Sequence, residues 1–204
     1  MLDLTKPFLD RGDKLVCFGD SLTAQEGSYA GVLAKALPEN EIVNAGVGGD
    51  KTPSALLRLE KDVFSAKPDA VLVMLGANDA AVGRDCWADE PMISPEAYRC
   101  NLVWIAHLCR LRGIKKISIA TPFGFEGPSY LAHGDRITAF ALAAREAADE
   151  LKLPLVPLDC LFHRLRNGVP LTELAVTRDG THPTGESQEA IARAMLEAWH
   201  LAKD

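Results

Sequence analysis

Leu15-Val16-Cys17-Phe18-Gly19-Asp20-Ser21-Leu22-Thr23-Ala24 is the stretch from which the architecture can be read. An apolar run ends at Gly19, an acid and a serine follow, and a segment that reads as helix begins. A short, nearly continuous apolar run suits a strand covered on both faces. A serine at the handover from such a strand to a helix lies at the carboxyl edge of a sheet, where open α/β sheets bind their ligands. The helix start adds free backbone N–H groups and the positive end of a dipole. Ser21 has two readings from this stretch alone: an N-cap, which is the common use of serine there, or a nucleophile whose oxyanion is already partly stabilised.

Outward from this point, strands and helices alternate. The sequence predicts a first strand over Lys14–Gly19, a helix over Ser28–Leu37, a short strand over Glu41–Asn44 and a glycine-rich loop, Ala45–Thr52 (AGVGGDKT). A helix over Pro53–Leu59 draws its apolar content from Leu56, Leu57 and Leu59. Ala70–Leu75 is the clearest buried strand and ends in Gly76-Ala77-Asn78-Asp79. Ser94-Pro95-Glu96 opens a helix to about Leu111, with Ser as cap and Pro at the first position; Leu102, Ile105, Ala106 and Cys109 share one face. Lys116–Ala120 is the fourth strand and Thr121–Tyr130 a turn-rich loop. A helix then runs to Leu151, with Ile137, Phe140, Ala144 and Ala148 at helical spacing. Leu153–Leu158 is the fifth strand and Leu161–Leu165 a short helical piece. Val176–Thr184 is polar and irregular, and Ser187–Leu201 is the last helix, with Ile191, Met195 and Trp199 facing inward. Helical crossovers imply a parallel sheet with helices on both faces. The expectation is one domain over residues 1–204, a three-layer α/β/α sandwich on a five-stranded parallel sheet. Strand order is not legible in this pattern; the flavodoxin-like order is the common default.

Bulk properties narrow the function classes. The 204 residues are 48% hydrophobic and 25% charged, with a net charge of −6. That composition suits a single globular domain and offers no electrostatic footprint for nucleic acid or an anionic membrane. No stretch is long and apolar enough to span a bilayer, and the charged first residues do not resemble a signal peptide. Five cysteines without CxxC spacing argue against a disulfide framework or a zinc site. The expected location is the cytoplasm, the expected partner a small molecule, and no cofactor or metal is implied. The oligomeric state is not legible. Asn44–Thr52 is not a phosphate loop: Asp50 stands where the Walker pattern needs Gly before Lys51, Ala45 stands at its first Gly, and Lys51 takes the place of the third Gly of GxGxxG.

In a parallel sheet every strand's carboxyl end lies on the same edge. The loops holding Ser21, Gly49 and Asn78 therefore open on one crevice, and the later loop with Asp179 and His182 can reach it. GDSLT at Gly19–Thr23, NAGVGGDKT at Asn44–Thr52, GAND at Gly76–Asp79 and DGTHP at Asp179–Pro183 together resemble the GDSL or SGNH hydrolases. The resemblance covers nearly the whole chain and implies an α/β/α esterase fold. It also implies Ser21 as nucleophile, His182 as general base and Asp179 as its orienting carboxylate. The oxyanion-hole donors it implies are the Ser21 and Gly49 N–H groups and the Asn78 side-chain amide.

The chemistry stands beside the match. A serine hydroxyl needs a base during attack; histidine can take that proton and return it to the leaving group; a carboxylate on its other nitrogen fixes the tautomer. Asp159, which also follows a strand, is the alternative orienting carboxylate. Asp20 reads as a packing or hydrogen-bonding neighbour of Ser21, and Asp79 as structural. Trp87, Phe123, Phe125 and Tyr130 lie in loops that open on the same edge and could line an acyl or sugar pocket or pack as ordinary loop aromatics. Trp104 and Trp199 read as core or interface. The expected reaction is hydrolysis of a short-acyl or carbohydrate acetyl ester. Lysophospholipid or thioester cleavage, and a non-catalytic binding module, are the alternatives.

Overall fold

The structure, a computed structural model, describes residues 6–82 and 91–202. Five parallel strands form one sheet in the order β2-β1-β3-β4-β5. They are β1 (Lys14–Gly19), β2 (Glu41–Gly46), β3 (Ala70–Met74), β4 (Lys116–Ala120) and β5 (Leu155–Val156). The order is the flavodoxin-like one. β1 and β3 are central and buried throughout except at Lys14, which is why they read as unbroken apolar runs.

The helices are α1 (Ser21–Ala24), α2 (Tyr29–Ala36), α3 (Thr52–Asp62), α4 (Ala77–Ala80), α5 (Pro95–Leu111), α6 (Gly127–Leu151), α7 (Leu158–Arg166) and α8 (Gly185–Ala198). α3 packs on α5 and α5 on α6, while α2 packs on α8; the sheet lies between these layers. The predicted inward faces of α5, α6 and α8 are all buried. Ser94 caps α5 by accepting from Ala97 N at 3.1 Å, and Trp199 locks the end of α8 to β4 by donating from Nε1 to Ser118 Oγ at 2.9 Å.

Three sequence expectations need correction. The loop expected over Thr121–Tyr130 ends early, because α6 begins at Gly127; Pro128 suits the first turn, where its missing N–H has no intrahelical acceptor. The fifth strand is only Leu155–Val156, since Pro154 and Pro157 flank it and neither can donate to the ladder; α7 therefore starts at Leu158. Leu57, counted in the apolar content of its helix, is 89% exposed and outside the core; Trp104, read as core or interface, is 59% exposed, which excludes the core half of that reading. Trp199, at 1%, belongs to the core.

Leu72 is fully buried at the middle of β3, opposite Cys17 of β1 and Ser118 of β4. Truncating such a side chain loses its transfer free energy and leaves a cavity the sheet cannot collapse. Leu72→Ala is expected to lower the unfolding free energy by about 2–5 kcal/mol, read from urea midpoints.

Candidate active site

β1 delivers Ser21 to the sheet edge through an acid cap. Asp20 Oδ1 accepts from Leu22 N at 2.9 Å, so the carboxylate and not the serine caps α1. The serine hydroxyl is thereby left for other work. His182 Nε2 lies 3.0 Å from Ser21 Oγ. His182 Nδ1 lies 2.8 Å from Asp179 Oδ2, and Asp179 Oδ1 accepts from the His182 and Thr181 N–H groups at 2.8 and 3.0 Å. An ionised carboxylate can only accept, so Nδ1 carries the proton and Nε2 is left to accept from the serine. Burial opposes the charge on Asp179, but the hydrogen bonds from His182 and Thr181 outweigh it and hold its carboxyl below the usual range.

The other loops of the edge are tied to this one. Val47 N donates to Gly19 O at 3.1 Å, and Asn78 Nδ2 donates one hydrogen to Asp50 O at 3.0 Å. The second amide hydrogen of Asn78 can serve a ligand. Gly49 turns the loop at φ +75°, a conformation that favours glycine. The structure thus brings together Ser21, His182 and Asp179 directly, and joins the loops that hold Ser21, Gly49 and Asn78.

Asp159 is elsewhere. It is held by Arg145 Nη2 at 2.6 and 2.8 Å and by Thr121 Oγ1 at 2.8 Å, with no bond to His182. Asp79 is buried under the edge, where Thr52 donates to it from N at 3.1 Å and from Oγ1 at 2.5 Å. Phe123 is buried against the Phe162 ring, with centroids 6.0 Å apart. Phe125 and Tyr130 instead line a cavity of about 340 Å³ with Asp159, Phe162, His163 and Leu171, a wall to which Ser21, His182 and Asn78 do not contribute. Trp87 lies outside the described residues.

Two basic residues of the edge escaped the sequence reading. Arg58 of α3 pairs with Asp50 Oδ2 at 2.6 Å and donates to Ala45 O and Gly19 O, both at 2.8 Å. Its guanidinium sits over the Phe18 ring at 4.2 Å. Its only sequence signal was Asp62 four residues on, with which it also pairs at 3.1 Å. Arg166, with Glu126, supports the loop that carries the histidine. A lone arginine near a helix end and an acid in a glycine-rich loop carry no pattern that distinguishes them from solvated charges.

With this geometry in place, the comparisons are consistent. The profile of the GDSL-like lipase/acylhydrolase family matches residues 17–190. The chain belongs to that family and is a carboxylic ester hydrolase. An acetylxylan esterase of Geobacillus stearothermophilus is 27% identical over 206 residues, covering 91% of this chain and 93% of that protein. The uncharacterized lipoprotein YqeF of Bacillus subtilis (strain 168) is 34% identical over 116 residues, or 52% of this chain; the match spans 46% of that protein, about half its length. The crystal structure of LAE5, an alpha/beta hydrolase enzyme from the metagenome of Lake Arreo, Spain, superposes with a TM-score of 0.82 at 26% identity, over 97% of this chain and 99% of that one.

The edge carries an unusual load of buried acid. Burial pushes the Asp20 carboxyl up to about 7, helped by the nearby charges of Asp79 and Asp50. Burial also pushes Asp79 up to about 6, against the hydrogen bonds from Thr52. For Asp20 the folded state therefore keeps a proton that the unfolded state has already released. Where the folded state binds more protons, stability falls as pH rises, here from the unfolded carboxylate range near 4 up to about 7. Asn at position 20 keeps an acceptor for Leu22 N and cannot ionise. Asp20→Asn is expected to shrink the loss of stability between pH 5 and pH 7, read as the difference in urea midpoint at the two values; an unchanged difference would remove Asp20 as its source.

Proposed function

We propose that this chain hydrolyses short-acyl esters, acetyl groups on carbohydrate foremost, through Ser21, His182 and Asp179. The observation that carries the reading is the continuous hydrogen-bonded line from Ser21 Oγ through both ring nitrogens of His182 to Asp179 Oδ2, with steps of 3.0 and 2.8 Å. Ser21 Oγ attacks the ester carbonyl while its proton passes to His182 Nε2. Asp179 stabilises the imidazolium and keeps its orientation. The tetrahedral oxyanion is received by the Ser21 and Gly49 N–H groups and the Asn78 amide. The C–O bond to the alcohol breaks, and the alcohol leaves with the proton from Nε2. Water then attacks the acyl-serine, gives a proton to Nε2, and releases the acid as that proton returns to Ser21 Oγ.

The preference for a small acyl group on a sugar is supported by the acetylxylan esterase, which aligns over nearly the whole of both chains. Hydrolysis of p-nitrophenyl acetate, butyrate and octanoate tests both parts of the reading. Ser21→Ala and His182→Ala are each expected to lower kcat by at least about 10³-fold, and Asn78→Ala by about 10²–10³-fold, with rate falling as the acyl chain lengthens. Full activity in Ser21→Ala would overturn the nucleophile; a rate rising toward octanoate would leave the nucleophile and replace the substrate class with longer acyl esters.

A further inference from the structure

We propose that Glu126, held by Arg166, is a positioning residue for His182: its buried carboxylate grips the root of the hairpin that presents the histidine to Ser21. The proposal rests on the reading of Ser21, His182 and Asp179 given above.

Residues 176–184 form a small hairpin. Thr184 N donates to Val176 O at 3.0 Å and Arg178 N to His182 O at 2.9 Å, and Thr177 bridges Pro183 in antiparallel register. Asp179, Gly180 and Thr181 make the turn, and His182 begins the returning arm. Gly180 is buried at the centre of the turn, but the side chains it presents reach solvent: that of Asp179 is 48% accessible and the half-buried His182 29%. Packing alone therefore does not fix the imidazole, and its position follows from where the hairpin is rooted.

The root is Glu126, which is fully buried just before α6. Its Oε1 accepts from three consecutive backbone N–H groups, Ala175 at 3.1, Val176 at 2.9 and Thr177 at 2.5 Å, and from Thr177 Oγ1 at 2.7 Å. Thr177 Oγ1 in turn accepts from Gly180 N at 2.9 Å, and Glu126 N donates to Gly180 O at 2.9 Å. One acid thus holds the outgoing arm through its carboxylate, and the turn through both its backbone and the threonine hydroxyl. Gly180 sits at φ +94°, and a Cβ there would lie 2.4 Å from Glu126 O, so the turn and its anchor are in direct contact.

A neutral side chain could accept these bonds more weakly; hydrogen bonds to an ionised acceptor are shorter and about twice as strong. A buried carboxylate needs a counter-charge, and Arg166, 3% exposed, supplies it by pairing with Oε2. Arg166 also donates to Val169 O at 3.1 Å, Glu173 O at 2.9 Å and Pro170 O. The segment leading from α7 into the hairpin is therefore held by the same ion pair. No hydrogen bond joins Glu126 to His182 or Asp179 themselves.

The test compares wild type, Glu126→Gln, Thr177→Val and Leu72→Ala, each at a temperature where circular dichroism shows it folded. A misplacement of about 1 Å costs about 10²-fold in rate. The expected result is a kcat for p-nitrophenyl acetate lowered about 10- to 100-fold in Glu126→Gln and by less in Thr177→Val, with KM unchanged. The second-order rate of inactivation by a fluorophosphonate, which reads the nucleophilicity of Ser21 without a substrate pocket, should fall in parallel. Leu72→Ala, destabilised in the core, should change neither rate. Wild-type kcat and inactivation rate in a folded Glu126→Gln would overturn the proposal and leave Glu126 as an anchor of the fold. If Glu126→Gln does not fold, the near-isosteric Thr177→Val decides by the same two rates. Ser21→Ala in the same series keeps the two failures apart, because retained activity there would sink the triad itself whatever the Glu126 variant does.

Discussion

The guanidinium of Arg58 is the interaction on which the loop-bearing edge of the sheet depends. It reaches the carbonyls of Gly19, the last residue of β1, and Ala45, the next-to-last of β2, pairs with Asp50, and rests on the Phe18 ring. Carbonyl groups near strand ends still need donors, and Gly19 O takes one from Val47 N as well. Arg58 supplies donors to two of them and so fixes the start of two loops at once. Through Asp50, whose backbone carbonyl accepts from Asn78, it also reaches the third loop. Replacing it by lysine would keep a charge and lose the planar fork that spans these acceptors.

Of the acids buried beside that bridge, Arg58 offsets one, Asp50. Asp20, Asp50 and Asp79 are all buried beneath the serine, and burial drives the carboxyl of each upward. Each also works as an acceptor: Asp20 for Leu22 N, Asp79 for Thr52, Asp50 for Arg58. The loops of an edge expose backbone donors that must be satisfied where water is excluded, and carboxylates satisfy them firmly. The resulting dependence on pH runs opposite to that of Asp179. Its carboxyl is held low by His182, so its contribution to stability is lost as pH falls, whereas those of Asp20 and Asp79 weaken as pH rises.

The sequence made the alternation of elements legible because β1 and β3 are covered on both faces and α5, α6 and α8 each bury one stripe. It made Ser21 and Asn78 legible because they lie in short blocks just past strand ends, and topology sends those ends to one edge; Asp179 and His182, which follow α7 and not a strand, were legible only as the short block DGTHP. What it hid is of a different kind. Arg58 and Glu126 act through contacts 39 and about 50 residues away in the chain, with no local pattern to announce them. Asp159 passed as an alternative orienting acid because position after a strand is all a sequence shows; Arg145, fourteen residues earlier on α6, occupies it. Phe123 and Phe125 looked equivalent by spacing, yet one packs on Phe162 and the other faces a cavity. Trp104 was open between core and interface, and its exposure removes only the core reading.

The two halves of the site are built on different physical terms. Ser21, Gly49 and Asn78 sit within a few residues of the central strands, and their positions are set by the sheet register and by Arg58. His182 comes 161 residues after Ser21, on a turn with little packing of its own. Its placement has to be carried by polar contacts with α6 and α8: the Glu126 carboxylate on one side, and on the other the Thr184 cap of α8 and Ser187 Oγ, which donates to Val176 O at 2.7 Å. A rigid sheet edge facing a tethered, solvent-reaching hairpin has a direct consequence. On the function proposed above, the oxyanion donors are tied to the sheet and not to the hairpin, so a disturbance at its root weakens the base and spares the cradle. Loss of either polar clamp therefore acts on proton transfer before it acts on substrate binding, which is the signature that separates a displaced histidine from a collapsed pocket.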